Sequence, residues 1–316
     1  MIIALFALLA GSAPPGLVLP MRCTIGADCL VQKLVDLDPG PGRRDYRCGT
    51  LTTDGHDGID LRLRDIAAMA QGVPVLAAAN GTVLRVRDGE ADAHVRQRGV
   101  VVGREAGNGV LIDHGGGWQT QYSHLRRGSI RVRPGQTVRA GEAIGLVGMS
   151  GDTEYPHMHF TVRHDGKAID PFGGVAGAAC GKPGPAVWSA AAAAKLAYTP
   201  TALVTAGFAP ARPDAETARA GGYAGQSLNR AEPLVMWVDA IGVRAGDVQR
   251  VSIAAPDGSA AFRADTAVTS GGLSWFGFSG KKPPAGGWTP GRYRGRFAIV
   301  RNGAVVAMRE AEATVE

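Results

Sequence analysis

The amino-acid sequence predicts a mainly β protein of two domains, and three observations carry that expectation. Apolar and polar side chains alternate over short runs in both halves of the chain, which is the period of a half-buried strand. The 46 glycines and 19 prolines are scattered rather than held in a repeat, which suits many tight turns between short strands. At 316 residues the chain exceeds the usual size of one domain. With 45% hydrophobic and 20% charged residues it has enough apolar mass for a true core.

Taken in order, residues 1–10 form a short apolar run followed by Gly11-Ser12-Ala13, the pattern of a secretory leader over 1–13. The run is too short for a membrane-spanning helix. Residues 14–50 hold few periodic elements and a Pro39-Gly40-Pro41-Gly42 turn cluster, so they read as an N-terminal extension. Over 51–181 short strands are expected at 74–78, 81–87, 110–113, 118–125, 143–148 and 158–162. The polar, glycine-bounded stretch 88–106 reads as a hairpin with a long surface loop. Lys182-Pro183-Gly184-Pro185 and the alanine run after it make 182–197 a linker with a helical turn. From 198 to 316 alternation returns at 233–243, 248–254, 275–278, 293–300 and 304–311, with hairpin signals at Pro256-Asp257-Gly258 and Arg301-Asn302-Gly303. That regular spacing predicts a smaller immunoglobulin-like β-sandwich.

The formal net charge of +6 is modest, and arginines are spread over both halves with no dense basic run, so nucleic acid is not an expected partner. Four cysteines allow three pairings. Cys23 with Cys29 would close a local loop, and Cys48 with Cys180 would clamp the base of the 51–181 domain. A structural zinc site is a poor alternative, because the close pair is spaced C-x5-C and no second close pair exists. Disulfides agree with export.

The chemistry concentrates in two segments. In His157-Met158-His159-Phe160-Thr161-Val162-Arg163, alternation puts His157, His159, Thr161 and Arg163 on one face of a strand, with Met158, Phe160 and Val162 toward a core. In Gly55-His56-Asp57-Gly58-Ile59-Asp60 a histidine and a carboxylate sit four apart among glycines that rule out a helix. That even spacing returns both side chains to one face of an extended chain. His56, Asp60 and His159 together supply two nitrogens and one oxygen, the set a catalytic zinc takes when a fourth position stays open.

Further text follows in order: Gly72-Val73-Pro74-Val75-Leu76-Ala77-Ala78-Ala79-Asn80-Gly81-Thr82-Val83, then Gly109-Val110-Leu111-Ile112-Asp113-His114-Gly115, then Thr120-Gln121-Tyr122-Ser123-His124-Leu125. Val138-Arg139-Ala140-Gly141-Glu142-Ala143-Ile144-Gly145 and Pro156-His157-Met158-His159-Phe160 complete it. Over roughly 51–170 this sequence resembles the LytM/lysostaphin-type zinc endopeptidases, which cut peptide bonds in peptidoglycan. The resemblance implies an antiparallel LytM-type peptidase sheet and one Zn2+ held by His56, Asp60 and His159. It implies that His124 and His157 are unligated active-site histidines, one a general base toward a zinc-activated water and the other an oxyanion stabiliser. Peptidoglycan stem peptides become the expected substrate, with Tyr122 and Tyr155 as contacts, in the periplasm or outside the cell. His124 would share a strand face with Trp118, Thr120 and Tyr122 and so reach the same groove.

Two departures from the family pattern bear on function. Met149-Ser150-Gly151-Asp152-Thr153-Glu154-Tyr155-Pro156 is bulkier and more acidic than the small-residue loop relatives carry there. The extension could also silence the site by placing Asp36, Asp38 or Asp45 at the open metal position. Of the other histidines, His94 reads as exposed, His114 as a structural hydrogen bonder, and His164 as part of a His164-Asp165-Gly166 hairpin turn. The alternative reading is a catalytically silent relative that binds wall or activates an amidase.

Overall fold

The computed structural model describes residues 13–174, 180–182 and 184–316, so the expected leader lies almost wholly outside the described residues. Seventeen strands and four short helices are assigned among them. In chain order they are β1 (Cys29–Lys33), β2 (Ile59–Leu63), α1 (Ile66–Ala70), β3 (Pro74–Leu76), β4 (Gly81–Arg87), α2 (Val95–Arg98), β5 (Asn108–Gly115) and β6 (Trp118–Leu125). Next come β7 (Thr137–Val138), β8 (Ala143–Leu146), β9 (His157–His164), β10 (Lys167–Ile169) and α3 (Ala190–Ala193). The remainder are β11 (Ala202–Ala209), α4 (Ala215–Arg219), β12 (Leu234–Val243), β13 (Val248–Ala254), β14 (Ala260–Ala267), β15 (Gly272–Lys281), β16 (Gly291–Arg301) and β17 (Ala304–Val315).

The large sheet runs β1-β2-β9-β6-β5-β4-β7, with β10 added beside β9, and a separate ladder joins β3 to β8. Its pairings are antiparallel. Alternation sets its two faces. Ile59 lies opposite Phe160, and Leu61 opposite Met158, all fully buried in one core. The intervening Asp60 and Arg62 therefore turn to the other face together with their partners His159 and His157. Strand β9 sits between β2 and β6, so its polar face is held on a central, rigid element.

The extension is integrated into this unit rather than appended to it. Strand β1 pairs with β2 at the sheet edge, and Leu17, Met21 and Leu34 are buried in the main core. Cys23 is bonded to Cys29, and Cys48 to Cys180. The expected linker is likewise packed: Val187, Trp188, Ala192 and Leu196 are buried, and α3 is the helical turn.

Beyond it, β11-β12-β15 face β14-β13-β16-β17 across a second core of Met236, Val238, Val251, Ile253, Phe297 and Ile299. In strand order this is 1-2-5 against 4-3-6-7, compatible with an immunoglobulin-like sandwich. Strands β11 and β14 carry no sequence expectation. Strand β14 is a mostly exposed edge with no apolar stripe. Strand β11 is interrupted by Gly207, where a Cβ would lie 2.6 Å from the Trp237 ring, so the glycine makes room for the indole.

Asp170, after β10, is buried, and its Oδ2 has no hydrogen-bond partner. Burial pushes its pKa up to about 7, against hydrogen bonds from the Phe172 and Gly173 amides. An acid whose folded pKa is raised binds its proton in the native state where the unfolded chain has lost it, so it weakens stability as pH climbs from about 4 to about 7. Asp170→Asn is therefore expected to gain on the parent by at most about 1.4 kcal/mol per pH unit over that window. Urea melts of the two proteins at pH 5 and pH 8 check this. A pH-independent difference would reject it.

Candidate active site

Asp60 and His159 are opposite residues on neighbouring strands, so the ladder itself brings them together. His56 arrives from the loop before β2, where Gly55 takes a φ of 70°. Gly58 is sterically required, since a Cβ there would lie 2.6 Å from His159 Nε2 and 2.6 Å from the Phe160 carbonyl. The three side chains form a group whose possible ligand atoms all lie within 4.8 Å of one another.

Hydrogen bonds orient each ring. His56 Nδ1 lies 2.8 Å from the Leu34 carbonyl, which can only accept, so Nε2 keeps its lone pair. That Nε2 lies 3.1 Å from Asp60 Oδ1. His159 Nε2 lies 3.0 Å from Asp57 Oδ1, and its Nδ1 lies 2.9 Å from the same Asp60 Oδ1. Two imidazole nitrogens and a carboxylate oxygen thus converge on one point, and a single proton cannot serve both rings. A metal can: donors about 2.0 Å from zinc in a tetrahedron stand about 3.3 Å apart, close to these spacings. The Leu34 carbonyl and Asp57 carboxylate are the outer partners that fix ring orientation in such sites.

The charges agree with a cation site. Asp60 is fully buried, yet the surrounding histidines hold its pKa well below the usual range against that burial. Burial works against a charged His159, but Asp57 and Asp60 outweigh it and raise its pKa to about 9. Asp60 Oδ2 makes no hydrogen bond, and the Lys33 ammonium stands 3.3 Å away as an ion pair. Nothing local in the sequence marks Lys33, which belongs to the extension. Asp57 is in the quoted motif but reads there as turn chemistry.

His157 and His124 flank the group. His157 Nδ1 lies 3.0 Å from both the Tyr155 carbonyl and Thr153 Oγ1, and His157 Nε2 lies 3.6 Å from Asp60 Oδ1. His124 Nδ1 lies 2.7 Å from the Ser150 carbonyl. Each carbonyl claims the Nδ1 proton, so each ring keeps an open Nε2. Burial lowers the His157 pKa to about 4, against the pull of Asp60, and holds His124 well below its ordinary value. Their ring centroids are 4.5 Å apart. The altered loop 149–156 therefore supplies the hydrogen bonds that aim both rings, while Asp152 and Glu154 line the cleft, a space of about 440 Å³.

Two expectations about the groove need correction. Tyr122 lies opposite Phe160 on the core face, is 0% exposed, and bonds through its hydroxyl to the Ala78 amide, so it cannot touch substrate. His124 escapes that face because β6 carries one extra residue against β5 between Tyr122 and Leu125, and His124 has a φ of 61°. The bulge re-aims its ring across the sheet. Tyr155 borders the cleft but is 6% exposed, its ring covered by the Arg62 guanidinium at 4.3 Å, so it supports the site from behind.

The extension does not place a carboxylate on the metal group. Asp36 accepts from the Asp38, Arg44 and Gly55 amides, Asp38 from Gly40, and Asp45 from Arg47, Gly49, Leu51 and the Tyr198 hydroxyl. These aspartates are turn-formers. His114 holds the Asn80 carbonyl at 2.7 Å and Thr120 Oγ1 at 2.8 Å, a structural bridge. His94 caps α2, half-buried, and His164 stacks on Trp118.

Residues 54–171 match Peptidase family M23. An uncharacterized metalloprotease of Haemophilus influenzae is 34% identical over 131 residues, covering 42% of this chain and 23% of the relative. The peptidoglycan DD-endopeptidase ShyA of Vibrio cholerae is 32% identical over 115 residues, covering 36% and 22%. A zinc-containing peptidase from Vibrio cholerae is similar among solved structures, at 28% identity and a TM-score of 0.29, covering 44% of this chain and 38% of that one. The chain thus spans only 23% and 22% of the length of these two curated relatives. The similarity to Peptidase family M23 thus extends over residues 54–171, the segment that carries His56, Asp60, His124, His157 and His159.

Proposed function

We propose that the protein is a zinc-dependent endopeptidase that hydrolyses peptide bonds in peptidoglycan cross-links, acting in the periplasm or outside the cell. The observation that carries this reading is the convergence of three electron-pair donors beside two histidines whose open nitrogens face the same cleft. His56, Asp60 and His159 would hold the metal. Bound there, zinc supplies Lewis acidity to a carbonyl oxygen and to water. His157, neutral and tethered through Nδ1, is placed to take the proton of an attacking water at Nε2. His124 would then steady the oxyanion or pass a proton to the leaving amine. The 132-residue span closed by Cys48–Cys180 suits an oxidising compartment.

The test is digestion of purified sacculi and of defined cross-linked muropeptides, with metal content recorded in parallel. Zinc-loaded protein should release new amino and carboxyl termini, a chelator should stop the reaction, and added zinc should restore it. Folded, zinc-loaded protein that leaves the cross-links intact would favour the silent, wall-binding reading instead.

A further inference from the structure

The catalytic cleft is not lined by the peptidase sheet alone. Leu273 and Ser274, at the start of β15 in the C-terminal sandwich, line the same space as His56, His124, His157 and His159. They are locked in place. Leu273 packs against the core of the large sheet. Ser274 Oγ accepts from Arg219 Nη2 at 2.7 Å, and Arg219 grips both oxygens of Asp239 at 3.0 Å each. Asp239 is in turn paired with the fully buried Arg62, the register partner of His157. A chain of contacts thus runs from the wall of the cleft to the strand that bears the proposed base.

We infer that the C-terminal sandwich forms a substrate-binding wall of the cleft, with Ser274 and Leu273 as specificity-determining residues; this rests on the peptidase reading above. Ser274 receives a hydrogen bond through its oxygen, which leaves its own O–H free to donate to a substrate carbonyl. Leu273 offers an apolar surface beside it, so the site favours a peptide with an apolar side chain next to the carbonyl that Ser274 holds. Lys33, Asp60, Asp152 and Glu154 are the acidic and basic residues of the lining, and Leu273 and Val95 are its aliphatic ones.

Full-length, zinc-loaded protein assayed on a purified cross-linked muropeptide tests this. Ser274 is exposed, so Ser274→Trp can block the cleft without disturbing a core. It should lower kcat/KM at least 20-fold, while zinc content and melting temperature stay at parental values. Ser274→Ala should raise KM about 5-fold with kcat within twofold, the loss expected for one hydrogen bond. Leu273→Ala should raise KM and flatten the preference between muropeptides that differ in side-chain size. If the parent cleaves the muropeptide and Ser274→Trp cleaves it with the same KM, the wall assignment is overturned and the peptidase reading stands. If the parent neither cleaves nor binds the muropeptide, the peptidase reading falls and takes this assignment with it.

Discussion

His157→Ala is expected to keep the parental zinc content and to lose turnover of cross-linked muropeptide by roughly 10²- to 10⁴-fold, the range removed with a positioned general base. Its ring is separate from the three proposed ligands, with Nε2 3.6 Å from Asp60 Oδ1, so deletion leaves those donors untouched. The ring is also preset for proton transfer. The Tyr155 carbonyl and Thr153 hydroxyl both sit 3.0 Å from Nδ1, which selects the tautomer with an open Nε2. Burial, with a pKa lowered to about 4, keeps that ring neutral at physiological pH. His56→Ala removes one of the converging donors and should lose metal and activity together. Measuring zinc content and kcat on the same preparations separates the roles. A His157→Ala protein that hydrolyses at the parental rate, or that comes out metal-free, would refute this assignment.

The parts of the site legible in sequence are those set by strand alternation. The face of β9 that carries His157 and His159 follows from a period of two, and the apolar face follows with it. The register between β2 and β9, which sets Asp60 opposite His159, is a long-range pairing with no local mark. Alternation misleads for β6. It places His124 on the face of Tyr122, and only the bulge with its left-handed residue reverses that side chain. Strand β1 and Lys33 escape notice because a five-residue edge strand has too little pattern to stand out among turns. In the sandwich the long strands β12 and β16 read clearly, while β11, interrupted by Gly207, and β14, a mostly exposed edge without an apolar stripe, do not. The link between the two halves is the least legible feature. Arg62 and Asp239 are 177 residues apart, and each alone reads as an ordinary surface charge.

That link carries the second large effect. Asp239→Leu is expected to destabilise the protein by about 3–5 kcal/mol, the usual cost of removing one partner from a buried ion pair. Asp239 is 0% exposed and accepts from Arg62 and twice from Arg219. Without it, Arg62, itself 0% exposed, keeps the hydrogen bond to Gln32 and the Tyr155 ring, both neutral, and its Nε already lacks a partner among the described residues. Burial works against ionised Asp239, but the two guanidinium groups outweigh it and hold its pKa below the ordinary value. The sign follows: a depressed folded pKa gives stability that is complete above the ordinary aspartate range and is lost as pH falls through it. The gap between parent and variant should therefore be full at pH 7 and shrink on acidification below about pH 4. Pairing the change with Arg62→Met should recover much of the loss, because the buried charge leaves with its partner and Arg219 can turn toward solvent. Denaturant melts of the two single variants and the double variant measure the coupling. Additive losses would mean that the two halves are held by apolar packing, and that the cleft wall does not depend on this ion pair.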